Sequence, residues 1–468
     1  MGATPLAEIL GYPLLSAIAE RRSRRIARGV SVDAGELSHR STNPPAPLSP
    51  LEEAMLLVAT GTTGVATMDG PLDIPGGGKE LGTPYFHFAA RAASSPDNSQ
   101  PTQLFMTNDE GIYLIRRLHG REALALAKDL PPRWDAWSEA DWIAAAATVK
   151  VKLHDGRLDF PREYPYYFAW NKQTSNRPGT TMFLPVTDVT RMYINGLLNI
   201  LSEPDGQRPI FVDDWQVFHP HTIEDWAGWA AEHLHLTATI PYQIIGGVKE
   251  ARSGFVNIHN VAPLSIVRCM LADHEAYFLQ QNLMLVAQAM GLGAWVHVAP
   301  QEPYLFKRDE SKGWRGLGFR FETPKKSWSR WPPVPATQPN PVGIDGVLEG
   351  FCPPYVTSMD EAVDRHLELK YQSYADAQVF GRGYRDPASS VSKFQADAVR
   401  YSPEVIAYTK EICNYIVDTY DRFPAHVDAW LVPGTWVQVC HVELEYYDKY
   451  FAPGQYRRQA EHARIFGE

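Results

Sequence analysis

The run 273–290 constrains this chain most. Ala276, Leu279, Leu283, Val286 and Met290 recur at three- and four-residue spacings, the signature of one side of a helix. Leu285 and Ala287 lie off that side and are apolar too, so little polar surface remains. Such a pattern predicts a helix buried nearly all round. It ends in Gly291-Leu292-Gly293. Glycine lets a chain leave a helix in the left-handed conformation, either as a plain cap or to pass close to a ligand.

The rest must supply a core for that helix. At 468 residues the chain can make two or three domains, or one large domain with insertions. Residues 5–28 read as helix. Ser49-Pro50-Leu51-Glu52 has the spacing of a capping box, and its helix should stop near Gly61. Residues 103–107 and 112–115 read as strands joined by Asn108-Asp109-Glu110-Gly111, which is hairpin chemistry. Helices are expected at 137–148 and 189–201. Another begins at Ser402-Pro403, with Ile406, Thr409, Cys413 and Ile416 on one face. Residues 324–354 hold eight prolines and predict a boundary segment.

A formal net charge of −10 makes nucleic acid a poor partner. The one dense basic run is Arg21, Arg22, Arg24, Arg25 and Arg28, readable as a local anion site or a solvated helix end. Four scattered cysteines form no C-x-x-C pair and fit a reducing compartment. With no signal-peptide pattern and no spanning apolar run, the expectation is a soluble cytoplasmic protein that does not enter a membrane.

Three stretches carry candidate chemistry. Arg21, Arg22, Ser23 and Arg25 offer guanidinium forks and a hydroxyl, which suit a phosphate. In Ser94-Ser95-Pro96-Asp97-Asn98-Ser99-Gln100-Pro101, the residues Ser95, Asn98 and Gln100 offer the small polar groups that suit a pyrimidine edge, although the same residues make ordinary turns. Gly291 and Gly293 offer close backbone approach.

In this order, the three stretches resemble the nitroreductase-like FMN oxidoreductases, which carry an RRSxR start, an APSxxNxQP loop and a helix ending in GLG. Gly61-Thr62-Thr63-Gly64 and Gly111-Ile112-Tyr113 are similar to features of the azoline-oxidase-like branch. Ser94 stands where the family usually has Pro, and Thr102 where it often has an aromatic residue. The resemblance covers roughly residues 18–118 and 266–300. It implies an α+β fold: a nitroreductase-like, mixed and mostly antiparallel sheet flanked by helices, with a large insertion and a C-terminal extension. The FMN-binding domain would be split between 1–118 and 266–330, with an insertion or cap at 119–265 and an extension at 331–468.

The resemblance also implies an interlocked homodimer with FMN at the interface. Arg21, Arg22, Ser23, Arg25, Ser95, Asn98, Gln100, Gly291 and Gly293 would hold the cofactor, and the backbone at Val298 would face flavin N5. Lys312, Arg315 and Arg320 are candidates for the family's late phosphate-binding cation. The implied activity is ping-pong hydride transfer, with NAD(P)H as possible donor and a small organic molecule as partner. No side chain is singled out as catalytic. The alternatives are a flavin-binding assembly protein without turnover and a metal-dependent enzyme.

That last alternative rests on the C-terminus. His426 and Asp428 precede His441, Glu443 and Glu445, whose alternation predicts one face of a strand. Three or four converging ligands are usual for a transition metal, so the expectation here is a structural or substrate-facing role without metal.

Overall fold

The computed structural model describes residues 4–61, 63–65, 89–95, 100–118, 120–164, 166–213, 243–245, 247–264, 271–300, 304–307, 310–323, 340–375, 385–386, 389, 400–428 and 435–466. Asn98 and part of the Gly61–Gly64 turn lie outside them.

The chain is an α+β protein built on an antiparallel sheet flanked by helices. Across the sheet the order is Gly293–His297, Trp436–Cys440, Thr181–Asp188, Thr102–Thr107, Gly111–Ile115 and Lys150–Asp155. The seventh strand, His426–Asp428, pairs with the far end of Thr181–Asp188. The hairpin forms where expected: Asn108 Oδ1 accepts from the backbone N–H of Glu110 and Gly111 at 3.0 and 3.1 Å.

This sheet corrects the expected division of the chain. Strands 150–155 and 181–188 come from the expected insertion, and 426–428 and 436–440 from the expected extension. Trp436–Cys440 sits between Gly293–His297 and Thr181–Asp188, so the C-terminal region completes the sheet. The proline-rich boundary fails similarly, because strand Asn340–Ile344 within it pairs with Arg320–Glu322.

One face of the sheet packs under helices Pro50–Gly61, Glu139–Val149 and Leu271–Met290, around Leu57, Met106, Phe183, Leu283, Val437 and Val439. The opposite face is covered by segments 158–167 and 299–319, including Phe160, Tyr167, Phe306 and Phe319. A further core joins helices Val189–Ile200, Met359–Ala375 and Pro403–Tyr420 to strand Arg208–Asp213. Ser402 caps the last of these helices, accepting from Val405 N at 3.3 Å.

Three local expectations need correction. Residues 5–28 form two short helices, Pro5–Leu10 and Leu14–Glu20, followed by extended chain. Gly11 and Pro13 interrupt the helix, and Ser23 then bridges in parallel to Ala294 while Ala27 bridges to Val442. Residues 441–446 are not one strand: the strand ends at Cys440 and helix Leu444–Tyr450 begins after Glu443. Finally, Leu271–Met290 is buried on one side only, leaving Tyr277 38% and Phe278 45% exposed. On the neighbouring short helix Leu14, Leu15 and Ile18 are exposed as well.

Candidate functional site

The site grows from the C-terminal end of helix Leu271–Met290. Gly291 leaves that helix at φ +83°, and a Cβ there would stand 2.6 Å from the Arg458 carbonyl oxygen. At Gly293 a Cβ would meet Val442 Cγ1 at 2.7 Å and the Arg24 carbonyl oxygen at 2.8 Å. Both glycines are therefore required by the protein's own backbone, where the sequence suggested approach to a ligand. Arg458 returns to the helix and donates through Nε and Nη2 to Ala289 O at 2.8 and 2.6 Å, placing a cation on the negative helix end.

Beside this turn, three distant residues meet. Glu52 caps its own helix: Ser49 N donates to Glu52 Oε2 at 2.7 Å, and Glu52 N donates to Ser49 Oγ at 3.3 Å. Glu52 Oε1 also lies 2.5 Å from His462 Nε2 and 3.1 Å from His441 Nε2. The carboxylate is fully buried. Burial alone would raise its pKa, but the hydrogen bonds and charges of the two imidazoles outweigh burial and hold it well below the usual carboxylate range. Both histidines line a cavity of about 310 Å³, with Arg28, Asn43, Gly291 and Gln459. An ionised carboxylate gripping two imidazoles can orient them for proton transfer. Their ligand atoms also lie within 4.8 Å of one another, a separation that a divalent metal can span.

The expected partners of His441 take other roles. Glu443 is buried and accepts from Gly29 N at 3.0 Å, Asn43 Nδ2 at 2.7 Å and Ser41 Oγ, tying down the 29–43 loop. Glu445 is exposed and accepts from Thr42 Oγ1 at 3.4 Å. His426 is buried in its strand with Nδ1 3.3 Å from Pro341 O.

The residues expected around a flavin fall into two groups. Arg21 donates from Nη1 to Met284 Sδ at 3.6 Å, and Arg24, the buried member of the basic run, reaches Gln288 Oε1 at 3.5 Å. Arg22, Ser23 and Arg25 are exposed, with Arg22 Nη1 folded onto Ala19 O and Arg21 O at 2.8 Å each. The Ser23–Ala294 bridge thus brings the basic run and the glycine turn together. Gln100 lies two residues from Thr102, whose N–H donates to Glu275 Oε2 at 2.8 Å near the other end of the helix. The 13 residues from Glu275 to Gln288 span about 20 Å of helix, so one chain does not unite the two groups.

Within the second group, Ser95 is half-buried. Gln100 is buried at φ 53°. Its Oε1 accepts from Arg91 N at 3.3 Å and its Nε2 donates to Ala93 O at 3.4 Å. That amide braces its own loop, which corrects its expected role as a ligand group. Val298 is half-buried beyond strand Gly293–His297, and its carbonyl accepts from Asn171 Nδ2 at 3.0 Å.

Beside Val298, His297 is buried with neither ring nitrogen hydrogen-bonded among the described residues, stacked on Trp295 at 4.1 Å. Burial lowers its pKa to about 3, so the ring is neutral.

Glu52 and His462 escaped the sequence reading. Glu52 was already accounted for as a capping residue, and His462 stands alone in its segment. No periodicity links positions separated by 410 residues.

Set against known proteins, the chain matches no family model, no curated protein and no solved structure.

Proposed function

We infer that the protein is an FMN-dependent oxidoreductase of nitroreductase-like fold, acting as a homodimer with the cofactor between protomers. The observation that carries this reading is the placement of the motifs at opposite ends of one helix. Its outward stripe holds exposed Tyr277, Phe278 and Gln281. An isologous two-fold whose axis runs perpendicular to this helix sets it antiparallel to its copy. Ser95 and Gln100 of one protomer then stand towards the Arg21–Arg25 run of the other. The three stretches that are split in one chain become one cleft in two, and an apolar stripe costly to leave in water is covered.

In this reading the exposed Ser23 and Arg25 take the phosphate, while Arg24 and Gln288 hold their segment in place. Ser95 and Asn98 are the proposed ligands of the ring edge, and residues 294–298 are proposed to supply backbone N–H groups. The bound flavin supplies two-electron hydride chemistry through N5. NAD(P)H is the proposed donor, and a small organic molecule the other substrate.

The test is an absorbance spectrum of the purified protein combined with sedimentation. Flavin bands in a dimer, bleached by NAD(P)H, are expected. A colourless protein that binds no added FMN overturns the reading. Flavin bands that NAD(P)H and candidate substrates leave unbleached would favour a binder without turnover.

One observation favours a second reading. His441 and His462 line one cavity and the buried Glu52 carboxylate stands behind them within 4.8 Å, two imidazoles and a carboxylate being a ligand set used by hydrolytic zinc and non-haem iron sites. Elemental analysis showing about one transition metal per chain, lost in His462→Ala, would promote a metal-dependent enzyme.

A further inference from the structure

Where strand Thr102–Thr107 begins, three arginines from separate elements collect. Arg91 ends strand Ala89–Arg91 and donates from Nη2 to Thr102 O. Arg117 follows strand Gly111–Ile115 and donates from Nη1 to Gln100 O at a long 3.3 Å. Arg191 sits in the first turn of helix Val189–Ile200, where its backbone N–H donates to Asp188 Oδ1 at 3.3 Å. Asp188 borders Thr187, which pairs with Thr102 across the sheet.

Their charges are not balanced. Arg91 is only 7% exposed, and its Nη1 has no hydrogen-bond partner among the described residues. The buried Nε of Arg191 has none either. Two buried carboxylates face the three guanidinium groups: Asp188, whose Oδ1 accepts from Arg191 N, and Glu275, whose Oε2 is taken by Thr102 N while Oε1 has no partner among the described residues. Arg91 and Glu275 thus grip the same residue, and each leaves one hydrogen-bonding atom unused. Burial pushes Arg117 down to about 9, with Arg191 and Arg91 lowering it further and Glu275 opposing them. Nearby His366 is held well below its usual pKa by burial and then by the charges of Arg191 and Lys370. A guanidinium does not give up its proton near neutral pH. The cluster therefore keeps an excess of desolvated positive charge, which is costly unless an anion neutralises it.

We propose that Arg91, Arg117 and Arg191 form a receptor for an oxyanion, the phosphate or carboxylate group of a small molecule, with the free Nη1 of Arg91 as its innermost donor. Arg117 and Arg191 are half-buried, which leaves the receptor open on their side. Planar guanidinium forks suit such anions, which they can hold through two parallel hydrogen bonds. Within one protomer this site stands at the opposite end of helix Leu271–Met290 from the Arg21–Arg25 run, and its argument does not depend on the flavin reading.

The test is thermal unfolding of the full chain in sodium phosphate, sodium acetate and sodium chloride at equal ionic strength. Wild type should unfold a few degrees higher in phosphate or acetate than in chloride. The arm that stabilises more assigns the group as phosphate or carboxylate. In Arg117→Met that rise should vanish and the anion should bind at least about tenfold more weakly. In chloride alone the variant should be no less stable than wild type, because a like charge has gone. Arg191→Gln, at a half-buried position, provides a second variant should Arg117→Met fail to fold. Equal stability of wild type in all three salts overturns the receptor. So does a rise that persists in the variants, or an equal loss of stability in every salt, which is the behaviour of purely structural arginines.

Discussion

His297 offers a perturbation whose sign and size follow from the structure. The residue is 4% exposed, neither ring nitrogen is hydrogen-bonded among the described residues, and burial lowers its pKa from 6.5 to about 3. Between those values the unfolded chain binds a proton that the folded chain refuses, so stability rises with pH across that window. The contribution is complete above pH 6.5 and is lost progressively as pH falls towards 3. Each pH unit within the window is worth about 1.4 kcal/mol. His297→Phe keeps an aromatic ring on Trp295 and removes the titration. Buried His366 and His426 also have lowered pKa values, so wild type alone does not isolate the effect. The difference between wild type and variant does. Urea unfolding at pH 7, 6 and 5 should show the variant gaining on wild type by roughly 2 kcal/mol over the range. At pH 7 it should be no less stable, because an imidazole with two unpaired nitrogens costs more to bury than a phenyl ring. A difference that does not change with pH would refute the reasoning and mean that His297 is solvated or paired in solution.

Glu52→Gln should destabilise the fold by about 3–5 kcal/mol in equilibrium unfolding, because two imidazoles lose their shared carboxylate in a buried setting. The Glu52 contribution is present above the unfolded value of 4.5 and lost as pH falls below it, so acid should erode wild type more steeply than the variant. Gly291→Ala should cost more than the roughly 1–2 kcal/mol of a left-handed backbone, since its Cβ would meet the Arg458 carbonyl; faster hydrogen exchange across 456–466 is the expected local sign. Phe278→Asp places a charge on the outward stripe of helix Leu271–Met290 and should give a monomer in sedimentation. Retention of a dimer would mean that another surface makes the contact.

Local chemistry was legible in the sequence wherever neighbours in the chain decide the outcome. Ser49 and Glu52 sit three residues apart, and they cap each other as a capping box should. Asn108 and Gly111 make their turn because an Asn side chain reaches its own backbone two and three residues on. The apolar period of 273–290 located that helix to within two residues. The run 441–446 misled because alternation over six residues is too short to outweigh a helix start, and Glu443 was needed by the loop at 29–43.

What the sequence could not fix is which remote residues meet. It determined the hairpin, the capped helices and a long apolar helix, because each depends on torsional preference and periodicity over a few residues, while the α+β expectation came from the family resemblance. Tertiary structure alone decided that the last strand enters the middle of the sheet, that Glu52 takes His441 and His462, and that Gln100 braces its own loop. It also decided that Arg91, Arg117 and Arg191 share one desolvated corner. Charge, burial and hydrogen bonding act through space, and a linear pattern carries no distance between residues hundreds of positions apart.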